Sequence, residues 1–176
     1  MIRTTCIAAI MLGSATMAAL TGCATDPSQG YSFETTFPES VKTIAVPIFE
    51  NTTYERGVEF DLTDALIKEI EARTPYKVTS SERADTVLTG RVRSVELEQI
   101  SKSPLTGLSE EVVVTVTIDF EWEDVLTGKP LVRREGFAGH GLFVPSRPTG
   151  ERIELGRLAA VEELAREIVA EMRAGW

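Results

Sequence analysis

The most regular pattern in the chain lies between Glu110 and Glu123. Val112, Val114, Val116, Ile118, Phe120 and Trp122 alternate with Val113, Thr115, Thr117, Asp119 and Glu121. Successive side chains on a strand point to opposite faces, so this segment predicts a strand with one face in a core and the other toward water. Thr127-Gly128-Lys129 predicts a hairpin turn and Leu131–Ala138 the return strand. Upstream, Thr86–Ile100 reads as another long strand. Leu88, Gly90 and Val92 share one face, whereas Val95 and Leu97 fall on the opposite phase, and a bulge near Arg93-Ser94 reconciles the two halves. Ser101–Ser109, with Pro104 and Gly107, is then the connecting loop.

Val41–Phe49 predicts the first strand. Its Ile44-Ala45-Val46 run suits a strand covered on both faces, and Pro47, which has no N–H, either ends the strand or places it at an edge. Asn51-Thr52-Thr53 is a loop that closes at Gly57. Glu59–Arg73 predicts a helix: Leu62, Ala65, Leu66 and Ile70, joined by Phe60 and Ile67, form its apolar side, and Thr74-Pro75 stops it. Tyr76–Thr79 is a short strand and Ser80–Asp85 a polar turn. Gly139–Gly150, rich in Gly and Pro, reads as irregular. Glu151–Ala174 predicts a second helix, with Leu158, Val161, Ala165, Ile168 and Met172 in steps of three and four and Leu155, Leu164 and Val169 widening the stripe. That pattern suits a helix laid on a sheet, and also a short coiled coil. The order of elements predicts an α+β fold: a mostly antiparallel sheet of about four to five strands with two helices packed on one face.

The N-terminus has a different character. Arg3 is the only charge in Met1–Gly22, and Cys6–Leu20 is uncharged and apolar, as in a secretion leader too short to span a bilayer. It closes on Leu20-Thr21-Gly22-Cys23, which resembles the bacterial lipobox. The small residues would let a peptidase reach the backbone, and the Cys23 thiol is the nucleophile that takes a diacylglyceryl group. Residues 1–22 are thus read as a lipoprotein signal peptide, residues 23–38 as a flexible tether from lipidated Cys23, and residues 39–176 as a single α+β domain. Acylation by more than one chain gives stable membrane attachment without a spanning helix. Ala24, rather than aspartate, follows Cys23, and this points to the outer membrane, with the domain facing the periplasm.

Composition narrows the function classes. Removing Met1–Gly22 takes the 18 basic residues to 17 against 27 acidic, a net charge of −10. Such a balance argues against nucleic-acid binding, which needs clustered Lys and Arg to displace counterions. Cys23 is the only cysteine left after cleavage, so neither a disulfide nor a thiolate metal site is expected. His140 is the only histidine and sits in the Gly-rich run Gly136-Phe137-Ala138-Gly139-His140-Gly141. Gly128-Lys129 lacks the upstream glycine of a phosphate loop. The adjacent pairs Glu110-Glu111 and Glu162-Glu163 point apart on a strand or helix and make poor acid/base dyads. With no nucleophile, base and orienting group in evidence, no catalytic residues, metal site or cofactor are assigned, and a binding or assembly protein is expected.

Three segments carry a family resemblance: Thr43-Ile44-Ala45-Val46-Pro47-Ile48-Phe49-Glu50-Asn51-Thr52-Thr53, Val58-Glu59-Phe60-Asp61-Leu62-Thr63-Asp64-Ala65-Leu66 and Ala84-Asp85-Thr86-Val87-Leu88-Thr89-Gly90-Arg91-Val92. They resemble the LptE family of lipopolysaccharide-assembly lipoproteins of the outer membrane. The resemblance implies two helices on a mostly antiparallel sheet, an LptD-like β-barrel partner whose lumen holds the protein as a plug, and contact with lipopolysaccharide. In these motifs Pro47-Ile48-Phe49 ends a buried strand, Asn51 and Thr52 bond loop backbone, Asp85 caps a turn, and Gly90 admits a close neighbour or a bulge. Lipid A carries phosphates and acyl chains, so its site needs cations beside apolar surface. Arg91, Arg93, Lys102, Arg133 and Arg134 are the candidate lipopolysaccharide-binding residues, with Leu105 and Leu108 near the hairpin tip. The Ala-Val-Pro-Ile-Phe-x-Asn-Thr stretch is also similar to activators of peptidoglycan synthases and to curli-type secretion subunits, which are the alternative functions.

Overall fold

In β5 the six even-numbered apolar side chains from Val112 to Trp122 are all buried, Val114 through Trp122 at no more than 1% exposure. Each such side chain stabilises the fold by about 1.5–3 kcal/mol relative to exposure, so this strand dictates where the helices must lie. The computed structural model describes residues 37–38, 40–102, 104–105, 107, 109–145 and 150–173. The signal segment, Cys23, the tether up to residue 36, Leu108 and Ala174 lie outside them. The elements are β1 (Thr43–Ala45), β2 (Glu50–Asn51), α1 (Val58–Arg73), β3 (Lys77–Val78), β4 (Thr86–Lys102), β5 (Ser109–Asp124), β6 (Lys129–Phe143) and α2 (Ile153–Glu171).

Among the described residues the six strands form one sheet in the order β3-β1-β4-β5-β6, with β2 pairing β4 farther along. This α+β sheet has slightly more strands than the sequence pattern suggests. β4, β5 and β6 make an antiparallel meander. β1 pairs β3 and β4, and β2 pairs β4, in parallel. The bulge falls where the phase change requires it. Val92 pairs Ile118 and Ser94 pairs Thr117, leaving Arg93 as the extra residue. Before it Leu88 and Val92 face the core; after it Val95 and Leu97 stand opposite Val116 and Val114 on that same side.

Several expectations are corrected. The first strand ends at Ala45, not Phe49, and Asn51 belongs to a strand rather than a loop. The chain leaves β1 through Pro47, which cannot donate to a ladder, and rejoins β4 as β2. Phe49 is driven inward there, and its ring occupies the space that a Cβ on Gly90 would need. The segment Gly139–Phe143 is not irregular but completes β6. Its glycines serve packing: a Cβ on Gly141 would lie 1.8 Å from the Gly156 carbonyl oxygen, and one on Gly139 would lie 2.6 Å from the Ala160 carbonyl oxygen. α2 therefore rests almost backbone to backbone on β6. This close seat also sets the rotation of α2. Gly156, Ala160 and Leu164 turn inward, while Leu155 and Leu158 stay 55% and 43% exposed. On α1, Leu62, Leu66 and Ile70 are buried as expected, but Phe60 is exposed.

Of the polar roles expected in the motifs, Asn51 bonds loop backbone, whereas Thr52 bonds strand β4 and Asp85 bonds the start of β1 instead of capping a turn. Asn51 Nδ2 donates to the Glu55 carbonyl at 2.7 Å and to Glu59 Oε2 at 2.6 Å, and the Thr52 hydroxyl donates to the Val92 carbonyl at 2.7 Å. Asp85 Oδ2 accepts the backbone N–H groups of Lys42 at 3.0 Å and Thr43 at 2.9 Å, so it fastens β1 to the start of β4. The Thr43 hydroxyl and then those N–H groups hold the Asp85 carboxyl below its ordinary range. β6 is an edge strand, and α2 guards it. The Glu163 carboxylate accepts the His140 backbone N–H, and Glu151 Oε2 accepts that of Val144 at 2.7 Å. Side chains that occupy edge N–H groups discourage pairing with another chain.

Substituting Gly141→Ala is expected to lower unfolding free energy by about 2–3 kcal/mol, as overpacking does, when measured by urea denaturation. Gly128→Ala, which strains only a turn with φ of 65°, should cost about 1 kcal/mol. The Asp85 contribution has a definite pH sign. Its folded-state value is lowered from 3.8, so its contribution is complete above pH 3.8 and disappears as pH falls through the folded value. The stability gap between the wild type and Asp85→Asn, followed by thermal melts against pH, should be constant near neutrality and close in that acid range.

Candidate functional site: a charge-paired groove on the open sheet face

Opposite the helices, the odd-numbered side chains of β5 lie among the charged residues of β4 and β6. There a groove of about 320 Å³ is lined by Glu50, Arg91, Asp119, Glu121, Arg133, Arg134 and Glu135, with Thr89, Gly90 and Phe120. Strand register brings these residues together: Arg91 stands opposite Asp119 and Glu121 opposite Arg133.

Asp119, its side chain 13% exposed, is the hub. Its Oδ2 takes Arg93 Nε at 2.7 Å and an Arg91 guanidinium N–H at 3.4 Å, and its Oδ1 accepts the Gly136 backbone N–H at 2.9 Å. Arg93 is the bulged residue of β4. Gly136, with φ of 65°, lies where β6 shifts register between Phe137 and Arg134. One carboxylate on the central strand thus fixes an irregularity in each neighbour. An aspartate in mid-strand on the wet face is a visible signal, but its bulge-pinning role depends on register that only the paired strands reveal.

Of the five cations expected to meet lipopolysaccharide, Arg91, Arg133 and Arg134 line the groove and Arg93 joins them through Asp119. Lys102 does not. It lies eleven residues along β4 from Arg91, roughly 35 Å away at strand rise. The guanidiniums are already paired. Arg133 lies 3.8 Å from Glu121 and 3.6 Å from Glu135, and Arg134 reaches Glu171 of α2 at 2.5 Å. Half-exposed pairs of this kind contribute little stability. They do keep Arg91, Arg93 and Arg133 extended along the open face, where a carboxylate partner can exchange for another anion, whereas Arg134 stands opposite core-facing Phe120 and is drawn toward the helix side by Glu171. His140 is exposed on β6, with Nδ1 3.1 Å from the Thr115 hydroxyl. Glu163 serves the strand edge, and Glu162 points elsewhere into solvent, so the pair diverges as its sequence spacing requires. Among the described residues no group of three or more His, Cys, Asp or Glu is placed to hold a metal.

Asp119→Asn should destabilise the fold by about 1–2 kcal/mol, more than Arg93→Gln alone, since it also weakens the bond to the Gly136 backbone. Arg93→Gln added to Asp119→Asn should cost almost nothing further in a double-mutant cycle read by urea denaturation.

No curated protein matches the chain. Among solved structures it is similar to a hypothetical protein of Chlamydia trachomatis, with 8% identity, a TM-score of 0.50 and coverage of 74% of this chain and 94% of that one. It is also similar to a minor lipoprotein of Acinetobacter baumannii, with 16% identity, a TM-score of 0.49 and coverage of 76% and 93%. A third likeness is to the PelC dodecamer of Paraburkholderia phytofirmans, with 19% identity, a TM-score of 0.47 and coverage of 82% and 96%. At such identities these likenesses concern the fold alone. The family model described as LptE, lipopolysaccharide-assembly, matches residues 41–173. That span takes in all the strands and helices of the described residues, and the chain belongs to the LptE family.

Proposed function

We propose that this protein is a non-enzymatic outer-membrane lipoprotein, anchored through acylated Cys23 and facing the periplasm. It plugs an LptD-like β-barrel, assists the assembly of that barrel and helps deliver lipopolysaccharide to the outer leaflet. The family match across residues 41–173 carries this reading. Two features of the surface support it. One sheet face is left open and charged rather than covered. The β4–β5 hairpin also carries Leu97, Ile100 and Leu105 at 50%, 59% and 94% exposure. Apolar side chains gathered on a projecting hairpin suit contact with a surrounding protein.

Lipopolysaccharide phosphates would meet Arg91, Arg93 and Arg133 by displacing Asp119, Glu121 and Glu135, and Arg134 by displacing Glu171, with Lys102 contributing separately near the hairpin tip. An overall negative charge opposes an anionic ligand, so contact depends on this local exchange.

Affinity purification of the tagged chain from solubilised envelopes should recover a large β-barrel as its main partner, and depletion should lower surface lipopolysaccharide. Mass spectrometry of the N-terminal fragment should find an acylated Cys23. Recovery of a periplasmic synthase domain instead would favour the activator alternative, and a homo-oligomeric pore would favour the curli-type one.

A further inference from the structure

A second cavity, of about 450 Å³, lies at the β1–β3 end of the sheet, away from the charged groove. Phe37, Pro38, Val41 and Pro75 give it an apolar lining, and Lys42 and Lys77 complete it together with Thr43. Strand pairing holds the two lysines at this site: the Lys77 backbone N–H donates to the Lys42 carbonyl at 3.0 Å, and Thr43 stands in register with Lys77. Both lysines are exposed, and among the described residues neither amine forms an ion pair. Asp85, whose carboxylate feels the Lys42 charge, is occupied by backbone N–H groups. A third cation, Arg173, sits over the Phe37 ring at 5.9 Å. An apolar cavity of this volume edged by exposed ammonium groups is complementary to an amphiphile with an anionic head.

We propose that this cavity binds an anionic phospholipid, with its acyl portion against Phe37, Val41 and Pro75 and its phosphate beside Lys42 and Lys77. Charge complementarity selects this occupant: on a chain of net charge −9, two exposed lysines side by side at the rim of an apolar cavity, with Arg173 over Phe37, suit a negative group. The lipid comes from the bilayer that holds the chain, and in this respect the inference rests on the anchoring reading. Phe37 is fourteen positions after Cys23, a span of at most about 50 Å when fully extended, so the cavity stays within reach of the headgroups. The site is separate from the groove proposed for lipopolysaccharide and needs none of its arginines.

The test uses the full chain in non-ionic detergent, with Trp176→Phe leaving Trp122 as the sole indole. Trp122 packs on Tyr76 with ring centroids 5.9 Å apart, and Tyr76 meets Phe37 edge-on at 5.6 Å, so an occupant against Phe37 is sensed by Trp122 fluorescence. Titration with dihexanoyl phosphatidylglycerol should give a saturable change. Dihexanoyl phosphatidylcholine should bind at least about tenfold more weakly. Lys42→Gln/Lys77→Gln should weaken phosphatidylglycerol binding about thirtyfold, the product of two lysines near an anionic head. Arg91→Gln/Arg133→Gln should leave it unchanged. Equal response to both lipids, an unaltered affinity in the lysine variant, or competition by inorganic phosphate as strong as by the lipid would overturn the proposal. An unmodified Cys23 with phosphatidylglycerol binding intact would sink the anchoring reading and leave the cavity standing.

Discussion

The close seat of α2 on β6 is the constraint from which the rest of the packing follows. Burying the apolar face of β5 requires a helix near enough to exclude water, and at this crossing a side chain on either element would hold the two apart. Gly139 and Gly141 on the strand and Gly156 on the helix remove that obstacle. Val114 and Phe143 then pack against the Gly156 position itself. The approach brings Val161, Leu164 and Ile168 to complete burial, and it brings Glu163 within reach of the His140 backbone. Core formation and protection of the sheet edge thus come from one contact.

The layout also separates two kinds of surface. On the open face, carboxylates and guanidiniums alternate across β4, β5 and β6, and Asp119 ties together the irregular points of the outer strands. At the β1–β3 end the surface is apolar, with two lysines that form no ion pair among the described residues. On the two proposals made above, a strongly acidic chain would present two different sites to anionic groups. The first would work by exchange among existing ion pairs and the second by direct complementarity. Neither needs a net positive charge, because local arrangement outweighs the total at the distances of hydrogen bonds.

Much of this was legible in the sequence where a periodic pattern had one cause. The β5 alternation, the bulge at Arg93 and the span of α1 all follow from burial of one face, and Asn51 and Gly90 act as their motifs suggest, whereas Asp85 ties β1 to β4 instead of capping a turn. What failed had two causes in competition. Glycines in Gly139–Gly141 read as loop because glycine usually marks chain flexibility, whereas here they make room for a neighbouring backbone. Pro47 was rightly read as a strand breaker, but the return to the sheet as β2 depends on Phe49 finding space beside Gly90. Leu155 and Leu158 fit the helical stripe, yet the small residues at 156 and 160 set the rotation. The candidate cations were found by residue type, and their grouping with Asp119 came from register. The lysine-edged cavity carried no sequence signal, since Phe37, Lys42 and Lys77 meet only after β1 and β3 pair.

The parallel pairing of β1 with β4 has a kinetic meaning. The meander from Thr86 to Phe143 closes through neighbouring strands, whereas Ile44 must find Thr86 across some forty residues of intervening chain. Local hairpins assemble before such long closures repay their entropy. β1 is laddered on both sides, Asp85 accepts two N–H groups at its start, and Phe37, Val41 and Ile44 bury around it. Its place exists only once Thr86 stands in a formed meander, so the N-terminal end of the domain is expected to be the last part of the sheet to close.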